Sequence, residues 1–251
     1  NSDAFWKPAV AVQADVGTFL AALRKSLPGY QCDPAWLETL RNLDNVKDSK
    51  NREAAGAPAD KHLNPVKVLS ELEEVLPENA ILVADGGDFV GTASYILRDI
   101  IIPIECFQAS FFFNLGVFFG VFIVSPQVRC FLVSTFLVGC LLLGTSLLSS
   151  LLSFLLQTPV IAVVGNDACW MQISREQVKM FKSNVACGLA YLNYHQAVEG
   201  LGARGVLLSD ADNDRMQDVY REALKLYADG HSVLVNCLIG KTSFREGSIS
   251  V

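Results

Sequence analysis

A chain of 251 residues is long enough for one large domain, or for a domain with an appendage. Its 20 Lys and Arg against 26 Asp and Glu give a net charge of −6, which excludes nucleic-acid binding through a basic surface. The seven cysteines show no Cys-x-x-Cys pair and no zinc spacing, so they read as free thiols acting as small hydrophobes.

The chain opens on Asn1 rather than methionine and shows no N-terminal signal peptide, and reads as the tail of something longer. Val10, Val12 and Val16 leading into Phe19, Leu20, Leu23 and Leu27 predict a strand and a helix over 1–27. Gly29 and Pro34 break that pattern. The polar, alanine-rich stretch to about Lys61 reads as an interdomain linker over 28–62, with a short helix at Trp36–Leu43. A new unit, 63–251, opens at Asn64-Pro65, a good N-cap followed by a residue suited to the first helical turn. Val66, Leu69, Leu72, Val75 and Leu76 recur on one helical face until Pro77-Glu78-Asn79 ends the helix.

Ala80–Ala84 is a continuous apolar run of the kind buried on both faces of a parallel sheet. It enters Asp85-Gly86-Gly87-Asp88 and then a helix, Phe89–Leu97. Pro159–Val164 is a second such strand, ending in Gly165-Asn166-Asp167, and Tyr194–Leu201 reads as a helix. Gly205–Leu208 is a third strand. Met216, Val219, Tyr220, Ala223, Leu224 and Tyr227 mark an amphipathic helix closed by Gly230, before a last strand at Ser232–Ile239. Strands alternating with helices predict an α/β fold with a parallel, doubly wound sheet.

An apolar block, 99–157, interrupts this unit. From Ile100 to Val164 the only charges are Glu105 and Arg129. The uncharged runs Cys106–Val128 and Cys130–Thr158 each exceed the ~20 residues that span a bilayer. They predict a helical membrane hairpin turning at Arg129 and standing outside the sheet. The block also reads as translated intron. Ser146–Gln157 is built of Ser, Leu and Phe, the residues of pyrimidine-rich codons, and ends in Gln where the α/β pattern resumes.

In open α/β sheets ligands bind where strands end and helices begin. Gly86, Gly87 and Asp88 offer main-chain N–H groups at a helix N-terminus, suited to a phosphate, with the glycine backbone preferred over the Asp88 carboxylate. The turn is not Gly-x-Gly-x-x-Gly, so a nicotinamide dinucleotide gains little support. The histidines His195 and His231 read as structural. The second strand end is more specific: Pro159–Ile173, running through Gly165-Asn166-Asp167-Ala168-Cys169-Trp170-Met171-Gln172, resembles the second half of the metal and diphosphate motif of thiamine-diphosphate-dependent enzymes. The resemblance extends to His62–Pro65, Val83–Ala93, Gln172–Gln177, Ser183–Tyr191, Leu201–Gly205 and Phe244–Ile249, and covers 1–98 and 158–251.

That resemblance implies thiamine diphosphate and magnesium as cofactors. It makes the Asn166 side chain and the Ala168 carbonyl the metal ligands, with Gly86, Gly87, Asp88, Gly165, Asp167, Trp170 and Gln172 around the diphosphate and the pocket. It implies three α/β domains, of which 1–27 is the end of the central one and 63–251 the C-terminal, cofactor-binding one. The activating glutamate belongs to the absent first domain, so no catalytic residue is assigned here. The implied substrate is a 2-hydroxyacyl-CoA, cleaved to a shortened aldehyde and formyl-CoA. An acetolactate synthase-type carboligase and a non-catalytic, membrane-tethered partner of full-length protomers are the alternatives. The implied setting is the endoplasmic-reticulum membrane, with a homo-oligomer or a full-length protomer as partner. One departure is sharp: the family's Gly-Asp-Gly turn, whose aspartate is the other magnesium ligand, is missing, and Val138-Gly139-Cys140-Leu141-Leu142 stands where it should be. Magnesium affinity and activity are therefore expected to be lost, and Cys169, where glycine is usual, crowds the metal loop.

Overall fold

The computed structural model describes residues 8–78, 80–84, 87–97, 120–124 and 159–246. It divides into two compact units, Asn1–Asp48 and Ser49–Val251. In the first, helix α1 (Val16–Ser26) starts where the Asp15 carboxylate accepts from Thr18 N at 2.8 Å, the N-cap role of a short acidic side chain. The strand expected before it does not form among the described residues, because Val10 and Val12 have no ladder to join. Helix α2 (Pro34–Gly56) opens on Asp33, which accepts from Ala35 N at 2.9 Å, and carries the unit boundary within it. It is far longer than the predicted Trp36–Leu43. No Pro or Gly interrupts 35–55, and its Leu, Lys, Arg, Glu and Ala are good helix formers, so polarity alone did not make this stretch a coil.

In the second unit α3 (Pro65–Glu73) is capped by Asn64, whose Oδ1 accepts from Val66 N at 2.8 Å. Its Nδ2 donates to the Ala54 and Ala57 carbonyls, both at 2.7 Å, and so ties down the end of α2. The chain continues through β1 (Ile81–Ala84), α4 (Asp88–Ile96), β2 (Gly120–Val124) and β3 (Val160–Asn166). Then come α5 (Met171–Phe181), α6 (Tyr194–Glu199), β4 (Arg204–Leu208), α7 (Met216–Ala228) and β5 (Val233–Leu238).

The strand order is β1-β2-β3-β5-β4. Strands β3, β5 and β4 pair in parallel, as expected, but β2 runs antiparallel to both β1 and β3. This corrects two expectations: the described sheet is mixed rather than wholly parallel, and part of the apolar block belongs to it. The sequence Gly120-Val121-Phe122-Ile123-Val124 explains why. A short apolar run rich in β-branched and aromatic residues serves as a strand as readily as a helix, and periodicity cannot separate the two. The remainder of 99–157, with the predicted hairpin and its Arg129 turn, lies outside the described residues. Among those described, no helix is long and apolar enough to cross a membrane.

Alternation along the strands gives the sheet two faces. Ile161, Val163, Val206, Leu208, Val233, Val235 and Cys237 face α3, α4 and α7 in the main core with Leu69, Leu72, Phe89, Met216 and Tyr220. Tyr220 is buried completely because its hydroxyl has an acceptor there, the Val68 carbonyl at 3.0 Å. The opposite face carries Asn166 and Asn236 and is covered by α6. There Gly205 leaves room for the His195 main chain, which any β-carbon would strike. Helices thus lie on both faces, although the sheet between them is mixed.

Candidate functional site

Because β2 is antiparallel to both neighbours, β1 and β3 point the same way. Register carries Ala84 through Val121 to Val163, so the turn after β1 and the turn after β3 open at one edge of the sheet. One intervening strand separates them, about 10 Å between strand axes. The gap is bridged by α4. Phe89 lies against Gly165, where a β-carbon would come within 2.7 Å of its ring atoms, so only glycine lets α4 approach β3 this closely. The two predicted strand-end motifs are therefore brought together: Gly87 and Asp88 on one side, Gly165, Asn166, Asp167 and Ala168 on the other. Gly86 lies outside the described residues.

Gly87 is the N-cap of α4 with φ 125°, a region that side chains rarely enter. Asp88 faces protein rather than ligand. Its Oδ2 pairs with Arg175 Nη2 at 2.8 Å, and Arg245 Nε stands 4.0 Å from its Oδ1. Arg175 also donates to the Arg245 carbonyl at 2.9 Å, and Arg245 donates to the Gly91 carbonyl at 3.1 Å. These contacts fasten the turn Ser243–Glu246 to α4 and α5. One oxygen of the Asp88 carboxylate is thus engaged by Arg175, while the other is buried without a hydrogen-bond partner.

Asn166 closes β3, buried to 5% exposure. Its Nδ2 donates to the Leu192 carbonyl at 3.1 Å and to Asn236 Oδ1 at 3.2 Å, while its main-chain carbonyl accepts from Ile239 N at 3.0 Å. Its Oδ1 accepts from none of the described groups. Asp167 follows with one oxygen accepting from Cys169 N at 2.9 Å, a local turn that bends the loop. Burial raises the Asp167 pKa to about 6. The Cys169 N–H pulls it back, nearby Asp88 adds to the rise, and Lys241 offsets part of it. Ala168 sits at φ 50°, the left-handed region, and its carbonyl accepts from Leu189 N at 2.7 Å. Cys169 is buried, bridges to Gly188 and has its thiol pKa pushed up by that burial.

Trp170 N donates to the Cys187 carbonyl at 2.9 Å, and the Trp170 carbonyl accepts from Ser174 N at 2.8 Å, which starts α5. Gln172 is half-buried in that first turn, one helical turn before Arg175. Tyr191 backs the loop, with its hydroxyl donating to the Ile239 carbonyl at 3.1 Å. Burial first, and then the Asp167 charge, push its pKa to about 12.

Sequence reasoning missed Arg175, Arg245 and Asn236 as individual residues. Only the last left a legible sign, a lone amide in the apolar run Val233–Leu238. A separate cavity of about 700 Å³, bordered by His62, Asn64, Lys67, Glu71, Asp210 and Asn213, has none of the predicted site residues in its wall.

In open α/β sheets, Gly- and Asn-rich turns at the carboxyl ends of the strands are where ligands bind. No family model matches the chain. Curated proteins do. The human protein named 2-hydroxyacyl-CoA lyase 2 is 48% identical over 251 residues, covering 100% of this chain and 40% of the relative. The zebrafish (Danio rerio) protein of that name is 46% identical over 255 residues and the Caenorhabditis elegans one 41% over 259, with the same coverage. The chain spans about 40% of the length of the curated relatives it matches. Over its whole length the chain is a homologue of part of the proteins named 2-hydroxyacyl-CoA lyase 2.

Proposed function

We propose that this chain is the C-terminal, cofactor-binding part of a thiamine-diphosphate-dependent lyase that cleaves 2-hydroxyacyl-CoA, in a form whose magnesium site is half built. The observation that carries this reading is Asn166, buried at the carboxyl end of β3 with its Nδ2 engaged and its Oδ1 accepting from none of the described groups, at the same sheet edge as the Gly87–Asp88 turn. An amide oxygen and a main-chain carbonyl are hard ligands of the kind magnesium takes. The residues present therefore fit the metal, though weakly. The Ala168 carbonyl already accepts one hydrogen bond, and among the described residues no group of three or more His, Cys, Asp or Glu side chains could hold a metal ion.

The cofactor, when bound, supplies the carbanion chemistry that breaks the carbon–carbon bond. The chain's own part is to offer Gly87 N–H to diphosphate oxygen, Asn166 Oδ1 and the Ala168 carbonyl to the cation, and a loop stiffened by Asp167. Trp170 and Gln172 stand at the start of α5 to line the pocket. The residues of 1–27 are the end of a central domain completed elsewhere. Turnover is not expected of residues 1–251 by themselves, because the family resemblance places the activating glutamate in a domain outside them. An acetolactate synthase-type carboligase would use the same cofactor residues.

The alternative of a non-catalytic partner rests on a separate observation. Ile173, Met180, Phe181 and Val185 expose 57–73% of their surface on and after α5, more apolar surface than a free-standing face usually shows. A membrane setting follows from the apolar composition of 99–157 and from the endoplasmic-reticulum membrane that the family resemblance implies. A chimera carrying the human relative's sequence in place of 99–157 is the test. Gain of magnesium-dependent thiamine diphosphate binding without lyase turnover is expected. Failure to gain binding would overturn the cofactor assignment.

A further inference from the structure

Asn236 is the most deeply buried polar side chain in the described sheet, at 0% exposure in the middle of β5. A buried amide in an otherwise apolar strand is costly unless every polar atom finds a partner. Here each one does. Asn236 Oδ1 accepts from Asn166 Nδ2 at 3.2 Å, and Asn236 Nδ2 donates to the Leu192 carbonyl at 3.1 Å and to His195 Nδ1 at 3.2 Å. Register explains the meeting. Asn236 pairs with Val164, so Asn166, two residues further along β3, falls on the same face of the sheet.

The orientation of both amides then follows from one atom. The Leu192 carbonyl can only accept, and it faces both side chains, at 3.1 Å from each. Both must therefore turn NH2 towards it. With that settled, Asn236 Oδ1 meets the second N–H of Asn166, and His195 Nδ1 takes the second N–H of Asn236, which places the imidazole proton on Nε2. Every hydrogen of both amides is used, and Asn166 is left with Oδ1 as its one open polar atom. Were Asn166 to turn over, its oxygen would face the Leu192 carbonyl and Asn236 Oδ1 together, and its NH2, which cannot bind a cation, would take the place of Oδ1.

We propose that Asn236 is a positioning residue: with the Leu192 carbonyl it fixes the amide of Asn166 so that an oxygen, never an NH2, is held out at the carboxyl edge of the sheet for a divalent cation. The inference rests on the cofactor reading above for the identity of what binds, but its geometry does not depend on it. Partners that orient a metal ligand commonly control affinity without touching the metal.

The test uses the whole chain and heteronuclear NMR of side-chain amides, with manganese ion and thiamine diphosphate as the probes. In the wild type both Asn166 Nδ2 protons should exchange slowly with water and show contacts to Leu192 and Asn236. Asn236→Leu keeps the branched shape, at a larger volume, and removes the acceptor. It should free the Asn166 amide, and manganese affinity, read from paramagnetic broadening near Asn166, should fall on the order of tenfold. His195→Leu controls for simple loss of stability. It should lower Tm yet leave Asn166 protected, since Leu192 and Asn236 still hold it. Unchanged Asn166 protection in Asn236→Leu, or loss of it in both variants alike, would overturn the proposal. Absence of broadening even at millimolar manganese, where a site lacking its carboxylate still binds, would instead overturn the cofactor reading, while the exchange of the Asn166 amide still decides the positioning role on its own.

Discussion

The carboxylate of Asp167 is held in a place that suits its neutral form. Burial lifts its pKa from 3.8 to about 6, against the help of the Cys169 N–H. Between those two values the folded chain holds more protons than the unfolded one, so stability falls as pH rises through this window and stays lost above it. Asp167→Asn keeps the turn and removes the charge. It is expected to raise stability at pH ~7.5 by on the order of 2 kcal/mol while changing little at pH ~4, as urea unfolding at both pH values would show. An equal effect at both would sink this reading.

Asp88 makes the opposite case, a buried carboxylate whose Oδ2 pairs with Arg175 and whose Oδ1 has Arg245 4.0 Å away. With Arg175, Asp88 and Arg245 side chains only 9–16% exposed, Asp88→Ala leaves two guanidinium groups with no carboxylate and should destabilise by about 3 kcal/mol. Arg175→Ala should cost less, since Arg245 remains beside Asp88; chemical denaturation of the two variants gives the order, and the reverse order would contradict it. At this scale the sequence was legible where a residue sat in a motif, as Asn166 and Asp167 did. It was not legible where function depends on partners far apart in the chain, as with Asp88 and its arginines or Asn166 and Asn236.

At the scale of elements, β3, β4 and β5 were readable as short apolar runs bounded by turn residues, and α7 by its apolar helical stripe. Val160–Val164 is buried throughout, as a strand covered on both sides must be, and α7 shows its apolar stripe with Gly230 at φ 89° just beyond. The errors share a cause. Residues 34–56 are polar enough to look like a linker, yet their composition favours a helix, and only the absence of Gly and Pro hinted at its length. Strand β2 lay hidden in an apolar block with no periodicity to read. Its place between β1 and β3 gives it a ladder on both edges, so the amides of 120–124 should exchange with deuterium as slowly as those of 161–165. Exchange as fast as in a free peptide would remove β2 from the sheet and leave β1 without its described partner. In the core, Leu69→Ala should cost roughly 3 kcal/mol, the usual toll of a cavity under a fully buried leucine.

At the scale of the molecule, the chain joins a well-packed α/β unit to a segment that cannot bury its own apolar stripe. Neither α1 nor the part of α2 in the first unit has a buried residue, while Phe19, Leu20, Leu23, Trp36, Leu40 and Leu43 are exposed. That fits the proposed role of 1–27 as the end of a domain whose remainder lies in the 60% of the relatives' length that this chain does not span. The α/β class and the family resemblance were legible in the sequence on either side of the apolar block, in 1–98 and 158–251. The edge at which the site opens needed the strand directions. The central claim is a metal site with an amide and a carbonyl but no carboxylate, and calorimetric titration of the intact chain with thiamine diphosphate, with and without magnesium, tests it most directly. The account expects little heat and no magnesium dependence at micromolar concentrations. Magnesium-dependent binding with micromolar affinity would show that Asn166 and the loop backbone suffice, and would contradict it.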